Sequence, residues 1–136
     1  MSKIYFGHPI HLYGTPKEAE LIRQIQSAFP HSVENPGAKL HREKYKEYAE
    51  KTGNGMNYFL EEVLPLMHAG IFLPFEDGKF GAGVFKEATF LKEKSKPIWE
   101  INQDGLVNII DTLDAKRALS VEETRKRLKT LMPSRA

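Results

Sequence analysis

The sequence predicts an α/β fold built on a mainly parallel sheet of about five strands. Three observations lead there. Short apolar runs alternate with stretches of helical spacing along the 136 residues, the order that a parallel sheet with crossover helices requires. Residues 69–101 hold one such unit whole: Gly70 to Phe75, the loop EDGKFGAG, a helical stretch from Val84 to Lys94, and a strand from Ile98 to Ile101. No repeat, low-complexity segment or linker interrupts the pattern, so residues 1–136 read as a single domain.

Lys3 to Gly7 is the first strand, followed by the loop GHPIHLYGTP. Thr15-Pro16-Lys17-Glu18 has the form of a capping box with proline at the first helical position. Leu21, Ile22, Ile25, Ala28 and Phe29 make that helix's apolar face, and Pro30 stops it. HSVENPG has room for a short second strand and an Asn35-Pro36-Gly37 turn. Lys39 to Lys51 is a charged surface helix with Tyr45 and Tyr48 on one face, and its charges read as solvated. After Gly53-Asn54-Gly55, helical spacing returns at Met56, Phe59, Leu60, Val63, Leu64 and Met67, with Pro65 ending or kinking the helix. Asn102 to Gly105 is a turn and Leu106 to Ile110 the last strand. Ser120 with Glu123 caps a final helix that turns Val121, Leu128 and Leu131 to the core, and PSRA is a frayed tail. The sum is a three-layer, flavodoxin-like (Rossmann-like) arrangement. Its right-handed crossovers put the loop after Tyr5 and the loop before Glu87 on one sheet edge, where ligands bind in such folds.

Composition excludes several classes. A formal charge of +2 is far from a polybasic nucleic-acid arm, so no nucleic-acid polymer is expected as partner. With no cysteine there is no disulfide framework or thiolate chemistry. No stretch is long and apolar enough to span a membrane, and MSKIYF lacks a signal-peptide pattern, which makes cytoplasm the expected compartment. His8 and His11 have metal-like spacing, but no third ligand accompanies them, so no metal or other cofactor is expected.

Tyr5 on the first strand, Gly83-Val84 followed by Glu87-Ala88, and Lys96-Pro97-Ile98 occur in this order. Together they resemble the nucleoside 2-deoxyribosyltransferase family and its nucleotide N-glycosidase relatives over roughly residues 3–101. The resemblance implies that Glu87 is a nucleophile beneath the sugar C1′ and that Tyr5 hydrogen-bonds and orients it. A strand tyrosine ordinarily just buries its ring and satisfies its hydroxyl, so the resemblance is what gives Tyr5 a catalytic role. Gly7, His8, Asn57, Gly81 and Gly83 are the candidate substrate-binding residues. His8 and His11 can meet a phosphate or a base edge, or serve as ordinary polar loop residues. Asp77 and Lys79 flank the glycine loop and read as a solvated turn. Glu87 falls in the first turn of its helix, where the dipole and nearby amides keep a carboxylate ionised.

The sequence departs from the transferases in two places. Gly81 stands six residues before the glutamate, where they carry an aspartate, and Asn57 is the best match to their other aspartate. The Gly-Val pair before Glu87 is similar to the hydrolase branch, which cleaves deoxynucleoside monophosphates. Cleavage or transfer at an N-glycosidic bond is therefore expected, hydrolysis ahead of transfer; a non-catalytic nucleotide-binding module and an interaction protein with a vestigial pocket are the alternatives. Free N–H groups at Gly78, Gly81 and Gly83 favour a 5′-monophosphate over its nucleoside. Trp99, Phe72, Phe75 and Phe80 supply more aromatic surface than one small sheet needs, and the family completes its pockets from neighbouring subunits. A homodimer or larger homo-oligomer is thus expected, and a clean monomer by light scattering at micromolar concentration would remove that expectation.

Overall fold

A computed structural model describes residues 2–132 other than Met56, so the PSRA tail (133–136) and the Met56 position of the helical face lie outside the described residues. The chain folds as α/β with a five-stranded sheet in the order β2-β1-β3-β4-β5. The strands are β1 (Lys3–Gly7), β2 (Ser32–Glu34), β3 (Ala69–Phe72), β4 (Ile98–Ile101) and β5 (Val107–Ile109). The first four run parallel, and β5 turns back antiparallel on β4. Asn102 makes that reversal: its backbone pairs with Leu106 and its side chain accepts the N–H groups of Asp104 and Leu106. Gly105, at φ +86°, supplies the left-handed residue. β3 is shorter than its apolar run because Pro74 has no N–H for the ladder, yet Leu73 and Phe75 stay buried.

The helices are α1 (Pro16–Ala28), α2 (Lys39–Thr52), α3 (Ala82–Glu93) and α4 (Val121–Leu131). Strand alternation separates two cores. Ile4, Phe6, Ile71, Leu73 and Ile101 meet Leu21 and Ile25 of α1 on one face. Tyr5, Phe72 and Ile98 meet Val84, Ala88 and Leu91 of α3, with Tyr58, Val63, Leu64 and Met67, on the other.

Four local expectations change. The capping box at Thr15 is half formed: Thr15 accepts the Glu18 N–H, but the Glu18 carboxyl reaches the Gly14 N–H and His8 instead. Ala28 is exposed and so lies off the core-facing stripe. Helical spacing over 56–67 yields one π turn, Phe59–Val63, then a 3₁₀ turn, Leu64–Leu66. Leu64 donates to the Phe59 carbonyl five residues back, and Pro65 has no N–H with which to continue. The apolar side chains of α4 do not reach a core: the helix keeps its capping box at Ser120 and Glu123 but buries no residue, and Val121 and Leu131 are exposed. The aromatic surplus also disappears, since Phe72, Phe75 and Phe80 are buried and Trp99 packs edge-on to Phe29. Homo-oligomerisation is left resting on the resemblance alone.

Residues 76–80 are held from the C-terminal side. Arg117 forms a two-pronged pair with Glu100 at 2.7 Å, donates to the Gly78 carbonyl and lies over the Phe80 ring. Asp77 accepts from Arg127 at 2.7 Å, which holds its carboxyl below the usual range. Lys79 donates to the Lys116 carbonyl. The turn is exposed at Asp77, as expected, and these contacts also tie it to the C-terminal side.

Candidate active site

β1 is buried along Ile4 to Gly7, which forces the Tyr5 ring into the core between the sheet and the π turn. There its hydroxyl donates to Glu87 Oε2 at 2.6 Å. Residues 5 and 87 are far apart in the chain; the α3 start brings them together. Gly7 is tight against the same carboxyl: a Cβ there would lie 2.5 Å from the Phe72 ring and 3.4 Å from Glu87 Oε1. Its role is clearance, since any side chain would displace Phe72 or the carboxyl.

Glu87 lines a cavity of about 640 Å³, within the ordinary size range of small-molecule sites. The loop after β1 contributes His8, Ile10 and Tyr13, and the α3 start contributes Gly81, Ala82 and Gly83. These two loops share one cavity. The remaining walls come from α2 (His41, Arg42, Tyr45), the π turn (Phe59, Leu60) and α4 (Val121, Thr124, Arg125, Leu128). Asn57 is not among the lining residues; its neighbours two and three positions on are.

Glu87 is not in the first turn of its helix. α3 begins at Ala82, with Gly81 as its N-cap, so Glu87 stands in the second turn and the first holds no acid. Helix-start amides therefore do not keep it ionised. Burial pushes its carboxyl up to about 8, and the Tyr5 hydroxyl offsets this only in part. Burial, then the Glu87 charge, raises the Tyr5 phenol in turn. Tyr13 is raised by the same two causes, so both phenols stay neutral.

Of the glycine amides expected to be free, Gly78 is engaged, while Gly81 and Gly83 at the α3 start donate to no group among the described residues. Gly78 donates to the Phe75 carbonyl, and Ala82 donates to Thr124 Oγ1 at 2.9 Å. His8 is buried with both ring nitrogens engaged, Nδ1 by the Phe6 carbonyl at 2.8 Å and Nε2 by Glu18 at 2.6 Å. It braces the loop and presents no free nitrogen to a phosphate or base. The partner Glu18 carboxyl is held below its ordinary range although burial opposes this; the His8 bond and the Gly14 amide outweigh it. His11 stacks flat on Phe75, 5.9 Å between ring centres, and burial lowers its pKa. It is not a cavity residue.

Arg42, Lys86 and Arg125 were missed in the sequence. They come from three different helices, are exposed, and form no ion pair among the described residues. The charge run of α2 is thus not merely a solvated face: Arg42 and Tyr45 on one side of it look into the cavity. Only the helical spacing of His41, Arg42 and Tyr45 hinted at this, and nothing in the sequence said which side faces inward.

The fold and cavity define an α/β protein with a mainly parallel sheet and a tyrosine–glutamate pair at the base of a ligand-sized cavity. Compared with protein-family models, curated proteins and solved structures, the chain has no match. Among the described residues no cluster of metal-binding side chains forms, and no helix is long and apolar enough to cross a membrane.

Proposed function

We propose that this chain cleaves the N-glycosidic bond of a nucleoside 5′-monophosphate, with Glu87 as nucleophile and Tyr5 as the residue that orients it. The observation that carries the proposal is the 2.6 Å bond from the Tyr5 hydroxyl to a carboxyl that lines a cavity. A three-layer, flavodoxin-like arrangement is part of the same reading, supported by the strand order and a core on each sheet face. Cleavage develops positive charge on the sugar, and an anion beneath C1′ stabilises it before closing an ester that water then resolves. Because burial makes Glu87 a weak acid, its proton must leave before attack. A panel of nucleosides and 5′-monophosphates, assayed for free base, tests the reading; no base from any of them counts against it.

Arg42, Lys86 and Arg125, with the Gly81 and Gly83 amides, support an anionic substrate. Charge reversal of Lys86 and Arg125 to Glu is expected to weaken 5′-monophosphate binding about tenfold or more, since a charge-assisted contact contributes roughly 1.5–3 kcal/mol. Binding of the parent nucleoside should change little. Calorimetric titration of both ligands checks this, and equal losses for the two would count against a phosphate at the rim.

A binding module without turnover is the second reading. The observation that favours it is the Glu87 carboxyl at about 8, which is protonated at neutral pH unless a ligand ionises it. Binding of monophosphates with no base released would select it.

A further inference from the structure

We propose that the Tyr13 hydroxyl bonds to the 2′-hydroxyl of the substrate's sugar, which makes ribonucleotides the substrate class of this site. This deepens the N-glycosidase reading and rests on it.

Tyr13 is a phenol held in place beside the reacting pair with nothing to bond. It closes the 3₁₀ turn Ile10–Leu12 in the loop after β1, where its backbone N–H returns to the Ile10 carbonyl. Its ring stands edge-on to His8, 5.0 Å between ring centres. His8 is itself fixed by the Phe6 carbonyl and Glu18. On another side the loop after β2 closes on the ring at Gly37. A Cβ there would lie 2.7 Å from Tyr13 Cγ and 2.9 Å from Cδ1, so only glycine allows this approach. The Asn35 side chain accepts the Gly37 N–H at 2.8 Å and steadies that turn. A ring packed in this way aims its hydroxyl. Tyr13 lines the cavity with Glu87, and its hydroxyl bonds to no group among the described residues. After burial, the Glu87 charge acts on it most strongly, and Tyr13 comes next after Glu87 among the groups that act on Tyr5. The phenol thus faces both members of the pair.

The other donors of the cavity are placed for other work. The Tyr5 hydroxyl is spent on Glu87. Thr124 accepts from Ala82 and donates to the Ser120 carbonyl. Arg42, Lys86 and Arg125 are exposed and suit a phosphate. Lys86 follows Glu87's neighbourhood in sequence but points about 100° away around the helix axis. The Tyr45 hydroxyl lies against the loop after α2: a Cβ on Gly55 would be 3.0 Å from it, and Gly55 does not line the cavity.

Stereochemistry identifies what Tyr13 meets. In a β-N-glycoside the base leaves from the upper face of the sugar, and the Glu87 carboxylate attacks C1′ from the lower face. The 2′-hydroxyl of a ribonucleotide projects from that lower face, on the carbon next to C1′. A hydroxyl beside Glu87 meets it there, and each can donate or accept. A 2′-deoxy sugar offers no partner, and an arabino sugar holds its 2′-hydroxyl on the upper face. Entry of such a sugar expels the water that served Tyr13 and leaves the phenol unpaired, which is costly. The hydrolase branch that the sequence resembles acts on deoxynucleotides, but Tyr13 is not among the residues that carry the resemblance.

The test uses adenine and cytosine 5′-monophosphates, each with ribose, 2′-deoxyribose, 3′-deoxyribose and arabinose. A 2′-deoxy glycoside breaks more readily by itself, so affinity is read first, by calorimetry in Glu87→Gln with and without Tyr13→Phe. The ribo and 3′-deoxy forms should bind about tenfold or more tighter than the other two, and Tyr13→Phe should abolish the difference. In the protein with Glu87 intact, Tyr13→Phe should lower kcat/KM about tenfold or more for the ribo and 3′-deoxy forms. It should leave the 2′-deoxy and arabino forms within about twofold, which also reports that the variant is folded. Equal losses on all four sugars, or losses that follow the 3′-hydroxyl, would overturn the contact and leave the N-glycosidase reading standing. Discrimination at the 2′ position with no free base from any probe would overturn cleavage and uphold the contact. Binding of none of the probes would overturn both.

Discussion

Glu87→Gln abolishes turnover on whichever nucleotide the wild-type protein cleaves, by about three orders of magnitude or more in kcat. The amide keeps the shape and still accepts the Tyr5 hydroxyl, but it is neither an anion beneath the sugar nor a nucleophile. Loss of a directly placed catalytic group removes about 4 kcal/mol or more of transition-state stabilisation. Substrate affinity should survive, because the full charge partner appears only as the sugar becomes cationic. Tyr5→Phe is expected to cost less, about 10–100-fold, since it loosens the carboxyl without removing it. Single-turnover rates and equilibrium binding for the three proteins decide the matter. Turnover in Glu87→Gln within a few-fold of wild type would sink the nucleophile.

The second large effect is on stability against pH. In the unfolded chain Glu87 titrates near 4.5, and in the folded protein burial moves it up to about 8. Between those values the native state holds a proton that the unfolded state has lost. Its stabilising contribution is therefore complete below the lower value and is lost as pH rises through about 8. Glu87→Gln carries no such proton. Wild type and variant should have similar stability at pH 5, and the variant should be more stable at pH 9 by roughly 2–4 kcal/mol, at about 1.4 kcal/mol per pKa unit less a discount for water in the cavity. Urea unfolding at pH 5, 7 and 9 measures the difference, and a gap that does not widen with pH would show that the carboxyl is not desolvated. The same proton sets the kinetics: kcat/KM for a neutral-base substrate should climb with pH towards a midpoint near 8.

Much of the architecture is carried by local pattern. Thr15-Pro16, Ser120 with Glu123, and the Asn102–Gly105 turn are short-range devices whose partners lie within a few residues, so they are readable without the fold. The βαβ unit over 69–101 is legible for the same reason. The region after Gly55 was not, because spacing at Phe59, Val63 and Leu64 fits an α-helix and a π turn almost equally until Pro65 removes a donor. α4 misled differently. Its apolar stripe is real, but a stripe does not say whether it meets a core or an open cavity, and Val121 and Leu128 line the cavity.

At the site, it was the resemblance carried by Tyr5, Gly83-Val84, Glu87-Ala88 and Lys96-Pro97-Ile98 that nominated Tyr5 and Glu87 as a pair. Their hydrogen bond, the clearance at Gly7 and the sharing of one cavity by two loops belong to the sheet register and the α3 start. The tertiary structure alone decided the protonation of Glu87, because a carboxyl pKa follows from the water and dipoles around it, and the helix position read from sequence had the wrong sign. It alone decided that His8 and His41 are occupied, since their partners Phe6, Glu18, Glu34 and Tyr58 become neighbours only on folding. It alone gathered Arg42, Lys86 and Arg125 at one rim: three cations on three helices have no common signature along the chain, and only packing sets which faces converge.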